Sequence, residues 1–203
     1  MGIDDYAPPS QSRREPPLVW NPALAKITLA YAIFGAGYIV TATFLIAIVR
    51  QSDGGFVVES GVWLAAGLAG APSVWLWSLV ARRLGLAAAF GIGCVVEAVG
   101  VVASVSIGGY GAQLLAGALL GGTFIAVTAM GLQIGRAVAG DAPRRALAIM
   151  TAAFGVGQIT GPLLAGIAAD LTGSFFAPSI GAAVALMIAG LVWLQASNRP
   201  SDQ

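Results

Sequence analysis

The chain has 203 residues, 58% hydrophobic and only 9% charged, with a net charge of +1 and a mean hydropathy of +0.86. A soluble domain carries about 25% charged residues, so a water-facing globule is excluded, and the near-zero net charge gives no footing for a nucleic-acid partner. Cys94 is the only cysteine and histidine is absent, which excludes an internal disulfide and a thiolate metal cluster and removes the commonest general base; no metal, cofactor or catalytic residue is expected.

Residues 1–23, "MGIDDYAPPSQSRREPPLVWNPA", are polar and proline-rich and are expected to form a disordered tail. No short apolar stretch lies near the start, so a cleaved signal peptide is not expected. Arg13 and Arg14 resemble a twin-arginine signal only faintly, since Pro16 and Pro17 follow. Six apolar runs come next, at about 24–49, 60–81, 86–106, 111–134, 146–168 and 176–195, each roughly 20 residues or more and long enough to cross a bilayer as a helix. The expected fold is an all-α integral membrane protein: a six-helix transmembrane domain over residues 24–196, with a short tail over 197–203 and the lipid bilayer as surroundings.

Within the first run, Tyr31, Gly35, Tyr38 and Ala42 recur at 3- and 4-residue spacing and share one face. Tyr31 and Tyr38 are candidates to line a substrate path, with plain interhelical packing as the alternative. Pro72 interrupts the second run; lacking an N–H, it leaves the carbonyl of Leu68 without its helical donor. The third run holds Glu97 near its centre, where a charge costs about 2.5–3.5 kcal/mol. Gly93, Cys94, Gly100 and Ser104 share its face, so it is expected to point at protein, either as a proton site or as a structural hydrogen bond. In the fourth run Thr123, Thr128 and Gln133 do not share a face, so not all can line a cavity. The fifth, "GVGQITGPLLAGIAADLTG", combines Pro162, a polar Gln158 whose carbonyl the proline leaves free, and small residues at Gly157, Gly161, Ala165 and Ala169. Such a row lets another helix approach closely. Gln158 is a candidate for the substrate path; the other reading is a kinked, tightly packed helix without ligand contact.

Nine of the ten lysines and arginines fall on the side that carries both chain ends, and only Arg50 falls on the other, beside Asp53 and Glu59. The positive-inside rule then places both termini in the cytoplasm. The two sets of three spans also align. Gly35 and Ile39 fall on Gly121 and Ile125 (121 − 35 = 86), Gly67 and Gly85 on Gly155 and Gly173 (155 − 67 = 88), and Gly91 and Gly100 on Gly181 and Gly190 (181 − 91 = 90). An odd number of spans per unit sets the second unit upside down relative to the first. Inverted three-helix repeats with prolines in corresponding spans, Pro72 and Pro162, are the sequence pointer to a transport site in secondary transporters.

"GVGQITGPLLAG" resembles the G-x-x-x-G-P-x-x-G-G signature of the major facilitator superfamily, with Gly157, Gly161, Pro162 and Gly166 matching and Ala165 in place of one glycine. "SLVARRLG" resembles the family's G-x-x-x-D-R-x-G cytoplasmic loop: Arg83 and Gly85 match, while Ser78 and Arg82 replace the first glycine and the aspartate. "FGAGYIVTATFL" and "RRALAIMTAAFGVGQITGPLLAGIAADLTGSF" are similar to the second half of the bacterial YbfB/YjiJ-type branch. The resemblance implies one six-helix half of a twelve-helix fold in the bacterial inner membrane, with the first, second, fourth and fifth spans around the cavity and the third and sixth at the periphery. It also implies a half-size transporter unit that moves a small molecule by alternating access, paired with a separate N-terminal half or a second copy as a homodimer. A non-transporting assembly or regulatory subunit, or a truncated inactive remnant, is the alternative.

Overall fold

The computed structural model describes residues 15–51 and 55–197, with side chains through 194. Arg13, Arg14, Asp53 and Arg199, used above for orientation, lie outside the described residues. The described residues form six helices: α1 (Pro22–Gln51), α2 (Gly55–Leu84), α3 (Leu86–Ser106), α4 (Tyr110–Val138), α5 (Pro143–Thr172) and α6 (Phe176–Ser197). All six are long and apolar enough to cross a membrane. Four exceed the expected runs by four residues or more, because a 30-residue helix is about 45 Å long and outruns a ~30 Å hydrocarbon core. The surplus turns carry the charges. Arg50 in the last turn of α1 meets Glu59 of α2 in a two-pronged pair, with Nε 2.9 Å from Oε1 and Nη2 3.0 Å from Oε2.

α1 and α4 sit at the centre. α5 packs on α1, α2 packs on α4, and α3 and α6 pack on each other and on α4 and α1 respectively; among the described residues α2 and α5 do not touch. Exchanging α1, α2 and α3 with α4, α5 and α6 maps these main pairings onto themselves, which is compatible with the repeat read from the sequence. Individual contacts follow suit. A side chain at Gly121 would run into the backbone of Ala66, and one at Gly35 would lie 2.7 Å from the carbonyl oxygen of Phe154; Gly35 and Phe154 are the repeat equivalents of Gly121 and Ala66. Gly85 (φ 86°) and Gly173 (φ 65°), also equivalent, turn the chain between α2 and α3 and between α5 and α6 in the left-handed region that glycine favours. This accounts for the glycine of the loop motif. Arg83 beside it is exposed in the last turn of α2.

The core is aromatic. Trp193 of α6 stacks on Phe90 of α3 with ring centroids 4.0 Å apart, and Tyr31, Phe34 and Tyr38 of α1 fill the centre between α4 and α5. α2 and α5 bury least and turn large side chains outward, among them Trp63, Leu68 and Trp75 on α2 and Ile159, Leu163 and Leu164 on α5.

A tail was expected through residue 23. Residues 1–14 lie outside the described residues, whereas 15–21 run across the ends of three helices. The Asn21 side-chain oxygen caps α1 by accepting from the Leu24 N–H at 2.7 Å, and its amide reaches the carbonyl of Val138 at the end of α4 at 3.4 Å. Leu18 packs beside Leu24, Ala139 and Ala146. α5 opens with Pro143 at its first position, and the next two amides, of Arg144 and Arg145, donate to the Glu15 carboxylate at 3.1 and 3.2 Å. An acid at a helix start meets both the unpaired N–H groups and the positive end of the helix dipole.

Candidate substrate path

A cleft of about 630 Å³ opens between α1, α2 and α4. Its wall includes Tyr38, Ala42, Trp63, Gly70, Gly121 and Phe124, of which Tyr38, Gly70, Gly121 and Phe124 fall in the middle third of their helices, and no charged side chain lines it. Its width has a local cause. Gly67 and Gly70 on α2 and Gly121 on α4 add no bulk, and an added side-chain carbon at Gly67 would meet nothing within 4 Å.

Tyr38 is the polar element of the wall. Its ring stacks almost parallel on Phe124 of α4, with centroids 5.4 Å apart, and on Phe154 of α5 at 5.6 Å. The Gln158 amide donates to its hydroxyl at 2.6 Å. The two sequence candidates on separate spans are thus brought together, α5 to α1, and Tyr38 of the pair lines the cleft. This uses one of the two Gln158 N–H groups; its carbonyl oxygen and the Tyr38 O–H keep capacity for a further partner.

Tyr31 stands apart from them. It is 1% exposed, does not line the cleft, stacks on Phe154 at 4.8 Å and donates its hydroxyl to the Thr128 carbonyl at 3.2 Å. The face shared by Tyr31 and Tyr38 therefore leaves the core for the cleft within two helical turns.

The remaining candidates do not line the cleft. Gly157 and Gly161 lie against the α1 backbone at Ala32 and Ala36, where an added carbon at Gly161 would be 2.5 Å from the Ala36 carbonyl oxygen. Gly166 is looser, with Phe44 3.8 Å away. Pro72 is on the exposed side of α2, and Pro162 is half-buried. Glu97 is fully enclosed by protein, as its small-residue face implied; Gly93, Cys94, Gly100 and Ser104 are all buried with it.

Three residues escaped sequence reading, of which Phe124 lines the cleft. Trp77 of α2 donates its indole N–H to the carbonyl of Gly122 on α4 at 2.7 Å, and Phe124 and Phe154 sandwich Tyr38. Phe124 and Phe154 sit four residues before Thr128 and Gln158, and that i, i+4 relation was the only available signal.

The chain matches, over residues 5–194, the family model described as "Uncharacterised MFS-type transporter YbfB". No match to a curated protein was found. The match covers nearly the whole chain and coincides with six helices long and apolar enough to cross a membrane, so the chain belongs to the YbfB-type family of major facilitator superfamily transporters.

Proposed function

We propose that the chain is one six-helix unit of a secondary transporter that moves a small, uncharged, amphipathic molecule across the bacterial inner membrane by alternating access. The observation that carries this reading is the cleft: it opens around the middle of α1, α2 and α4, is walled by aromatic, aliphatic and small residues without a charge, and holds Tyr38, whose hydroxyl accepts from Gln158. An apolar lining with a few placed polar groups is how small-molecule sites orient ligands.

The same cleft argues for a partner. Hydrocarbon cannot satisfy the spare hydrogen-bonding capacity of Tyr38 and Gln158. α2 and α5 stand at its flanks and present apolar side chains outward. A second six-helix unit across the cleft would cover all of this; a separate N-terminal half is our first choice, a second copy about a twofold axis along the membrane normal the other. The mass of the detergent-solubilised particle, from light scattering with detergent subtracted, tests the pairing. Two six-helix units per particle are expected, and transport only from that particle; a particle of one chain that transports alone would overturn it.

Both termini belong in the cytoplasm on the arginine and lysine bias. In a Cys94→Ser background, a membrane-impermeant maleimide applied from outside should label a Ser174→Cys protein and spare an Asp141→Cys protein, both positions being exposed at helix junctions. The reverse pattern would invert the topology.

A further inference from the structure

Glu97 is 1% exposed at the middle of α3. Its Oε2 lies 3.2 Å from the Thr123 hydroxyl of α4, and its Oε1 has no hydrogen-bond partner among the described residues. The Thr123 hydroxyl has one hydrogen to give. Its closest acceptor is the Leu119 carbonyl one turn back, at 2.7 Å, the usual back-bond of a helical threonine. With that hydrogen given to Leu119, the contact with Glu97 closes as a hydrogen bond when the acid donates a hydrogen of its own.

The surroundings agree. α1, α2, α4 and α6, the helices packed against α3, carry no lysine, arginine or carboxylate at this depth. The titratable groups within electrostatic reach of the acid are Tyr38 from α1 and Cys94 from α3 itself. A carboxylate here would have no counter-charge and an unmet oxygen, an expensive combination away from water. Packing alone does not account for the residue either. Thr123 is satisfied without it, and a leucine would occupy similar space with no orphan oxygen.

One side of the site is closed to water. The groove between α3 and α6, walled by Val95, Ala98 and Val99, is almost wholly apolar. On the other side, Leu120, Gly121 and Phe124 flank Thr123 in sequence and line the cleft together with Tyr38.

We propose that Glu97 and Thr123 form a proton-binding site in the membrane interior, filled from water in the cleft past the Tyr38–Phe124 pair. A hydronium ion gives its proton to the Glu97 carboxylate and leaves as water, and the new O–H donates to the Thr123 oxygen; release is the reverse, and no other bond changes. The site binds its proton whether or not the protein transports. Within a transporter it stands one layer of side chains behind the substrate, where occupancy of one can bias the other.

Infrared difference spectroscopy on the full chain in lipid vesicles tests this without a substrate. At neutral pH the wild-type spectrum should show a carboxylic-acid carbonyl band that is missing from Glu97→Gln and that disappears as the medium is made alkaline. Identical spectra for the two proteins across that range would overturn the site. Thr123→Val, which keeps the acid and removes its neighbour, should shift the band to higher frequency, and an unmoved band would overturn the pairing; this holds even where the Gln variant fails to fold. Gly67→Trp fills the cleft at a position with open space. It should slow the band's deuterium shift after transfer to heavy water severalfold, and an unchanged rate would overturn the cleft as the route.

Discussion

Replacing Gly161 by leucine is expected to abolish the native contact of α5 with α1. At this position the facing atoms are backbone: the Ala36 carbonyl oxygen lies 2.5 Å and its Cα 3.0 Å from where a side-chain carbon would start, and Gly157 one turn earlier is pressed still closer to Ala32. Backbone cannot rotate away as a flexible side chain can. The helices must separate, and they lose the close van der Waals packing that holds membrane helices together in place of a hydrophobic drive. Overpacking in cores costs about 1–3 kcal/mol, and a rigid wall puts Gly161→Leu at the upper end or beyond it. Gly166→Ala is the control: Phe44, at 3.8 Å, is in ordinary contact range and its ring can move, so stability should hold. Thermal unfolding in detergent checks both. A Gly161→Leu protein that melts with the parent would mean that α5 does not pack backbone-to-backbone on α1.

Tyr31→Ala should be the most damaging truncation among the path candidates, at about 3–5 kcal/mol, the range for removing a buried aromatic ring. The ring is buried between Phe154 at 4.8 Å, Phe34 at 6.2 Å and the bare backbone of Gly131. Tyr31→Phe keeps the ring and gives up one hydrogen bond, worth about 1 kcal/mol. Gln158→Leu should behave in the opposite way. Its side chain is half-buried and bonds the cleft residue Tyr38, so folding should survive while substrate kinetics change. Denaturation curves set beside transport rates separate the two. A well-folded Tyr31→Ala protein with altered transport would move Tyr31 from the core to the path, and unaltered kinetics in Gln158→Leu would return that residue to packing.

The spans were legible because a run of about 20 apolar residues has few other uses. The helix ends were not, since a charged residue such as Glu59 or Arg82 ends an apolar run while its helix continues into water. Glu97 could be aimed at protein from its neighbours at helical spacing, because small residues on one face mark the side where another helix comes close. Tyr31 and Tyr38 show the limit of that reasoning. Periodicity places both on one face, and only the packing of α4 and α5 against α1 decides that Tyr31 is closed in by Phe154 and Gly131 while Tyr38 also lines the cleft. The Trp77 bond to Gly122 and the Glu15 bonds to α5 were beyond reach for a similar reason: they join residues far apart in the chain, and no local pattern encodes them.

The Glu15 contact gives the bundle an unequal mechanics. α1 is held at its start by its own cap, while the strand just before it is fastened to the first turn of α5 through two backbone amides, with the Arg145 guanidinium donating to the Glu15 carbonyl at 3.2 Å. A tilt of α5 about its proline at 162 would move that first turn through an arc at the end of a lever of roughly 20 residues, about 30 Å long. The displacement would be delivered to the backbone ahead of α1 rather than lost in the α4–α5 turn. α5 and the segment before α1 are therefore joined as one linkage, so that force on either end is felt at the other.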